Sequence, residues 1–125
     1  MITAVHTLVY SDDADATRAF LRDVLGLKFV DDGGGWLIFQ TGPSESGVHP
    51  TRSEFEGKVF ESPLQHAVSF MCDDIDATIA ELKSKGAEFS TEVMDRGYGL
   101  VAMMKVPGSL DMQLYEPRHK LAYNL

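Results

Sequence analysis

Apolar side chains recur at helical spacing in two stretches of the chain, which predicts two amphipathic helices. The apolar face of the first helix is formed by Ala16, Phe20 and Val24. That of the second helix is formed by Ile75, Ile79 and Leu82. Acidic residues that can cap a helix precede each stretch, and a glycine that can end a helix follows each one, at Gly26 and Gly86.

Segments rich in β-branched and aromatic residues, bounded by glycine and proline turns, predict the strands. The predicted strands cover residues 2–10, 27–30, 36–40, 45–49, 65–71, 88–93, 100–106 and 110–115. Each helix follows one strand and precedes three, so the order βαβββ occurs twice. We expect a single domain over 1–125, with one module at about 1–50, a linker at 51–63, a second module at about 64–117 and a tail at 118–125.

The two modules also repeat individual residues. His6 and His66 are 60 residues apart, as are Gly26 and Gly86. An Asp-Asp-x-Asp-Ala-Thr block begins at position 12 and again at position 73, one residue out of step with this period. A period of this length in a short chain indicates two copies of one structural unit. Two facing units can bring their equivalent histidines to one site.

Alternation along the strands assigns side chains to faces of the sheet. In the last strand the apolar set is Leu110, Met112 and Leu114, and the opposite set is Asp111, Gln113 and Tyr115. In the fourth strand Val48 is apolar, which places Glu45, Gly47 and His49 opposite. The strands that contain His6 and His66 are apolar on both faces, so alternation does not orient them. The hypothesis is that both histidines share a concave face with Gln113 and His49.

Composition excludes several classes of function. The net charge of −8 argues against a nucleic-acid surface, which requires clustered basic residues. No apolar run approaches the length of a membrane helix, and the start of the chain lacks a signal-peptide pattern. Cys72 is the single cysteine, which is compatible with a reducing compartment. These features predict a cytoplasmic protein that contacts neither membrane nor nucleic acid.

Three segments resemble a known superfamily. Residues 19–27 resemble its first helix end, with Leu21 where tyrosine is common, 70–86 resemble its second helix, and 107–109 followed by 114–117 resemble its final hairpin. Over about residues 1–119 the chain resembles the vicinal oxygen chelate superfamily of glyoxalase I, extradiol dioxygenases and bleomycin-resistance proteins. The resemblance implies an α+β fold in which two βαβββ modules form a curved, cupped mixed sheet with helices outside.

The resemblance also implies a metal site. His6 and His66 match the two first-strand ligands of metal-dependent members, and Gln113 matches the last-strand position, which is usually glutamate. The fourth ligand falls near Glu45, Gly47 or His49, of which His49 is favoured. A divalent zinc, nickel, iron or manganese ion would suit these donors, although an amide oxygen is a weaker ligand than a carboxylate. The alternative for each histidine is a hydrogen-bonded structural role.

A second group of residues is a candidate for ligand contact and proton transfer. The aromatic residues predicted to line a pocket are Trp36, Phe39, Phe70 and Tyr98, for which a core position is the alternative. The residues that could assist proton transfer are Glu45, Asp111 and Tyr115.

Two functions therefore compete. One is a metal-dependent lyase, isomerase or dioxygenase-like enzyme, in which two adjacent substrate oxygens chelate the metal. The other is a metal-free protein that binds a small molecule, as bleomycin-resistance proteins do. In both cases the partner is a small molecule, and the edge-to-edge pairing of modules in such proteins predicts a homodimer.

Overall fold

The computed structural model describes residues 6–9, 11–45, 47–48 and 50–124. His49, the favoured fourth metal ligand, lies outside the described residues. Among the residues described, five strands follow the first helical segment and three follow the second helix, and the predicted α+β class is confirmed. In the part of the chain that the structure describes, no helix is long and apolar enough to cross a membrane.

The first helical segment begins and ends where the sequence predicts. Helix α1 spans Ala14–Ala19, and the Asp13 carboxylate accepts a hydrogen bond from the Ala16 amide at 3.1 Å. A π-helical segment, Phe20–Val24, continues it directly. The chain leaves this segment at Gly26, whose φ of +69° lies in the left-handed region that glycine adopts without strain. Capping and termination are thus local properties of the sequence.

The second helix repeats this design. Helix α2 spans Ile75–Ser84 after Asp74, whose carboxylate accepts from the Ala77 amide at 3.1 Å. The Glu116 carboxylate accepts a further bond from the Ile75 amide at 2.9 Å. Two of the free amides of the first turn are therefore satisfied by acidic side chains, which the helix dipole also favours.

The second unit forms a four-stranded sheet. Its strands are β5 (Ser69–Met71), β6 (Met94–Asp95), β7 (Gly99–Met104) and β8 (Met112–Pro117), in the spatial order β5-β8-β7-β6. Strand β5 runs parallel to β8, and the other pairs are antiparallel. Because paired residues share a face, Phe70 lies with Leu114 on one face, and Ser69 lies with Gln113 on the other.

The first unit forms smaller sheets. Strands β1 (Phe29–Asp31) and β2 (Leu37–Phe39) pair as an antiparallel hairpin. The Asp31 carboxylate shapes its turn by accepting from the Gly33 amide at 2.8 Å. Strands β3 (Arg52–Phe55) and β4 (Lys58–Glu61) form a second hairpin within the segment interpreted as a linker.

Several predicted strand boundaries were wrong. Residues 6–9 and the described residues of 45–49 are not in strands, and 65–68 precede β5 without joining it. In the second unit the opening strand obtains its hydrogen bonds from β8. In the first unit Pro43, Gly47 and Pro50 interrupt the corresponding last strand, because proline donates no ladder hydrogen bond. The opening strand then has no comparable neighbour among the described residues.

Two further segments differ from their predictions. The strand predicted at 88–93 is reduced to an isolated bridge between Phe89 and Met104, and the strand proper is β6 at Met94–Asp95. The tail was predicted to be polar, and it contains a short 3-10 helix, Ala122–Asn124. A backbone amide at the start of that helix is capped by a distant carboxylate, which spacing along the chain does not reveal.

One core joins both units. Phe20 and Leu21 of the first helical segment pack with residues of α2 and the four-stranded sheet. Met104 and Ala102 are fully buried there, and Met112 and Leu114 are nearly so, as alternation predicted. Leu110 was wrongly assigned to this apolar set, since it is 84% exposed in the turn before β8.

The turn between β7 and β8 docks against the start of α1. The Gly108 carbonyl accepts from the Asp12 amide at 2.8 Å and from the Ser11 hydroxyl at 2.9 Å. The buried Thr17 hydroxyl donates to the Pro107 carbonyl at 2.6 Å. A Cβ atom at Gly108 would lie 2.6 Å from the Ser11 Oγ atom, so this close approach requires glycine. The contact fixes the first helix against the second unit.

Candidate functional site

A cleft of about 210 Å³ opens beside α1. Its walls come from residues 6–9, the inner side of α1, strand β2 and the approach to β5. Four residues selected from the sequence line it, namely His6, Trp36, Phe39 and Phe70. The cleft therefore brings together one predicted metal ligand and three of the four predicted ligand-contacting aromatic residues.

Phe39 and Phe70 form the apolar part of the cleft wall. Both are half-buried and also pack against the core, so the alternative core interpretation applies to each of them in part. The Phe39 ring contacts Phe29 at a centroid separation of 5.8 Å, across the β1–β2 pair. Anchored aromatic walls with a few polar groups are typical of small-molecule sites.

The polar part of the wall contains a cation that the sequence interpretation did not select. The Arg18 guanidinium lies 4.9 Å from the centroid of the Trp36 ring, within the range of a cation–π contact. Its Nη1 atom donates to the Asp15 carboxylate at 3.3 Å. Arg18 follows Asp15 at the helical spacing of three residues, which gave a sequence signal for the ion pair but none for the Trp36 contact.

Three of the four predicted metal ligands lie among the described residues. His6 lines the cleft, His66 is exposed outside its lining, and Gln113 lies on the face of the sheet opposite Phe70. In the described ranges, no three histidine, cysteine, aspartate or glutamate side chains are grouped to hold one ion. His6, His66 and Gln113 stay predicted metal ligands, and we derive no chemical step through a metal.

A second cluster forms around Tyr115, away from the cleft lining. The Tyr115 ring lies 5.8 Å from Tyr98 and 5.9 Å from His119, between ring centroids. Glu45 accepts from the Ala122 amide at 2.8 Å, and its other oxygen lies 3.5 Å from the His119 Nε2 atom. Two predicted proton-transfer residues, Glu45 and Tyr115, and the fourth predicted aromatic, Tyr98, are therefore neighbours.

Burial, with smaller contributions from Tyr98 and the Glu45 carboxylate, raises the pKa of Tyr115. Its phenol is thus held in the protonated form and is a hydrogen-bond donor rather than a base at neutral pH. The third predicted proton-transfer residue, Asp111, lies elsewhere. It is exposed, and its carboxylate accepts from the Ser90 hydroxyl at 2.6 Å.

The family model of the Glyoxalase/Bleomycin resistance protein/Dioxygenase superfamily matches residues 3–119. The match covers nearly the whole chain, and the chain belongs to this superfamily. No curated protein matches the chain significantly.

Solved structures support the same fold. A lactoylglutathione lyase from Agrobacterium tumefaciens is 22% identical, with a TM-score of 0.61 over 92% of this chain and 94% of that one. TnmS3, an antibiotic binding protein from Streptomyces sp. CB03234, is 19% identical, with a TM-score of 0.60 over 93% and 97%. A glyoxalase/bleomycin resistance protein/dioxygenase from Nocardioides is 16% identical, with a TM-score of 0.61 over 98% and 91%. At these identities the likeness shows the fold alone, and the predicted fold class is confirmed.

Proposed function

We propose that this protein binds a small, partly aromatic molecule in the cleft beside α1 and does so without a resident metal. The observation that supports this proposal is the convergence of Trp36, Phe39 and Phe70 on one cavity, together with His6. TnmS3, which has a similar fold, is an antibiotic binding protein, and this supports small-molecule binding as the function proposed for this chain. Hydroxyl groups of Thr7 and Thr41 in the same lining can orient a bound molecule.

Blocking the cleft tests this proposal. Ala14 lines the cleft at the exposed start of α1, and Ala14→Phe places a ring at its mouth. Ala80→Phe is the matched control, because Ala80 is an exposed alanine of α2 outside the cleft. Benzamide binding, followed by the fluorescence of the single tryptophan, Trp36, should be lost in Ala14→Phe and retained in Ala80→Phe. Equal binding by both variants would place the site elsewhere.

Metal-dependent catalysis is the second candidate, and one observation favours it: the His6 imidazole lines the same cleft. A divalent metal would supply a Lewis acid there. Elemental analysis of protein purified without a chelating tag, followed by calorimetric titration with Zn²⁺ and Ni²⁺, tests it. Micromolar or tighter binding that His6→Ala abolishes and His119→Ala retains would support this candidate, because His119 lies in the Tyr115 cluster. The roles of His49, His66, Gln113, Glu45 and Asp111 stay predictions.

The homodimer also remains a proposal, and the β3–β4 hairpin supports it. Phe55 is 61% exposed, and Val59 and Phe60 are each about half exposed. A two-stranded hairpin is marginally stable alone, and these apolar side chains would be covered by a second copy. Light scattering should give twice the chain mass, and Phe55→Ser should shift the protein toward the monomer. The predicted cytoplasmic location stays a prediction.

A further inference from the structure

We infer that the ligand of the cleft is a small planar molecule that carries one anionic group, and that Arg18 binds this group. The inference rests on the proposed function, because it assigns a chemical class to the molecule bound in that same cleft. Three observations lead to it: the charge of the lining, the free donors of Arg18, and the small size and aromatic walls of the cavity.

The charge of the cleft lining is opposite to that of the protein. The chain has 19 acidic and 11 basic residues. Yet the described lining contains no aspartate or glutamate, and Arg18 is its one residue with a permanent charge. A cation in an apolar cleft attracts anions more strongly than the same cation in water, since the lower dielectric weakens the interaction less. Arg18 therefore makes this cleft a local site for an anion in a chain that is acidic as a whole.

The Arg18 side chain has donors left for a ligand. It is only 22% exposed, and within the described residues its hydrogen-bonded partner is the Asp15 carboxylate. A guanidinium has five N–H donors, and this contact uses one of them. The Asp15 side chain is 97% exposed, so solvent screens its charge and it neutralises Arg18 only weakly. A ligand carboxylate can accept from the remaining donors in a bidentate arrangement.

The cavity selects a small and flat molecule. Its volume of about 210 Å³ lies below the roughly 300–1,000 Å³ that is typical of sites for drug-sized ligands. The Trp36 ring beneath Arg18 and the rings of Phe39 and Phe70 provide aromatic surfaces, which pair with planar groups by offset stacking or edge contacts. An aromatic or conjugated carboxylate can pair its charge with Arg18 and pack its planar group against the aromatic rings.

Benzoate and benzamide provide the test, because they have nearly the same shape and differ in charge. Calorimetry measures each affinity, and the single Trp36 indole N–H resonance reports occupancy of the cleft. We expect benzoate to bind at least about tenfold more tightly than benzamide, because a hydrogen bond between two charged groups is stronger than one that involves a neutral acceptor. Arg18→Gln should remove this preference while benzamide binding persists, and Arg18→Lys should retain part of it.

Arg22→Gln is the matched control. Arg22 lies in the adjoining π-helical segment, is more exposed, and forms a bidentate pair with Asp23 outside the cleft lining. This variant should keep the benzoate preference. Equal affinities for the two probes in the natural protein, or a preference that survives Arg18→Gln, would overturn the inference and leave the binding function intact. Failure of both probes to perturb Trp36 would overturn the proposed function itself.

Discussion

The two units of this protein begin from similar sequence and end in different states. Asp13 and Asp74 cap their helices with the same contact at the same distance, 3.1 Å. The second unit then completes a four-stranded sheet in which Val101, Ala102 and Met104 are buried. The first unit forms separate hairpins that leave large apolar side chains at the surface, among them Val30 at 65% exposure.

The comparison shows that helix ends depend on nearby residues, whereas strand pairing depends on residues that are distant in sequence. A cap and a terminating glycine act within one helical turn, so both copies retain them. A strand needs a neighbouring strand that is distant in sequence, and in the first unit Pro43 and Pro50 flank the segment that was predicted to supply it. The helix of the first unit therefore buries Phe20 and Leu21 in the core of the second unit, and the cleft lies beside it.

The largest expected effect comes from the core of the second unit. Met104 is fully buried on β7, and Met104→Ala should lower the free energy of unfolding by about 2–5 kcal/mol through lost contacts and a cavity. Val30→Ala, at an exposed apolar position of β1, should change it by less than about 0.5 kcal/mol. Urea unfolding measures both. Similar losses would mean that the two units contribute equally to the core.

The junction between the units should give the next effect. Gly108 has a φ of +80°, and an added Cβ would meet Ser11 and Asp13 within 3 Å. Gly108→Ala should cost about 2–4 kcal/mol from backbone strain and overpacking. Gly34→Ala has a φ of +62° with no atom within 4 Å of the added Cβ, so it tests strain alone. Urea unfolding measures both losses of unfolding free energy. The amount by which the loss in Gly108→Ala exceeds that in Gly34→Ala is the contribution of the contact between the units, and equal losses would contradict that contact.

Equivalent threonines give a closer comparison. Thr17 and Thr78 end the repeated Asp-Asp-x-Asp-Ala-Thr block, but Thr17 is 4% exposed and bonds Pro107 across the junction. Thr17→Val should cost about 1–2 kcal/mol, because it removes the hydrogen bond that the buried Thr17 hydroxyl donates to the Pro107 carbonyl. Thr78→Val loses a bond to the Asp74 carbonyl within its own helix turn and should cost less than about 1 kcal/mol. Thermal unfolding of the two variants under the same conditions compares their stabilities. A larger loss in Thr78→Val would contradict the contact of Thr17 across the junction between the units.

Sequence reasoning reached the features that short-range chemistry determines. Both helices, their aspartate caps and the apolar face of β8 at Met112 and Leu114 were predicted from spacing and alternation. The resemblance supplied the fold class, which pattern alone would have left as two βαβββ modules. Strand boundaries failed where pairing across the chain decides them, as at residues 6–9 and Phe89.

The candidate site was predicted in part for the same reason. Three aromatic residues chosen for a pocket do line one cleft, because apolar residues near a core also form its openings. Tyr98 instead contacts Tyr115, which lies near Glu45, and Glu45 contacts Ala122 and His119 near the end of the described chain. Arg18 was missed because a cation on a helix surface ordinarily faces solvent, and only the tertiary position of Trp36 distinguishes it.

We expect the smallest effect on stability from the ion pair between Arg118 and Asp95, at the end of the second unit. Arg118 donates two hydrogen bonds to Asp95, at 2.7 and 2.8 Å, and with the Gly97 amide it lowers the pKa of Asp95 from 3.8 to about 2. Because the folded-state pKa lies below the unfolded value, the pair stabilises the fold above about pH 3.8 and loses its effect as pH falls through about 2.

A carboxyl ¹³C titration should therefore place the Asp95 midpoint near pH 2, and Arg118→Gln should move it toward 3.8. Arg52→Gln is the control, because Arg52 pairs with Glu61 at 3.3 Å across the β3–β4 hairpin, away from Asp95. This control should leave the Asp95 midpoint in place. A midpoint that does not move in Arg118→Gln would show that the ion pair does not form in solution. The end of β8 would then lack the ion pair that we expect to stabilise it.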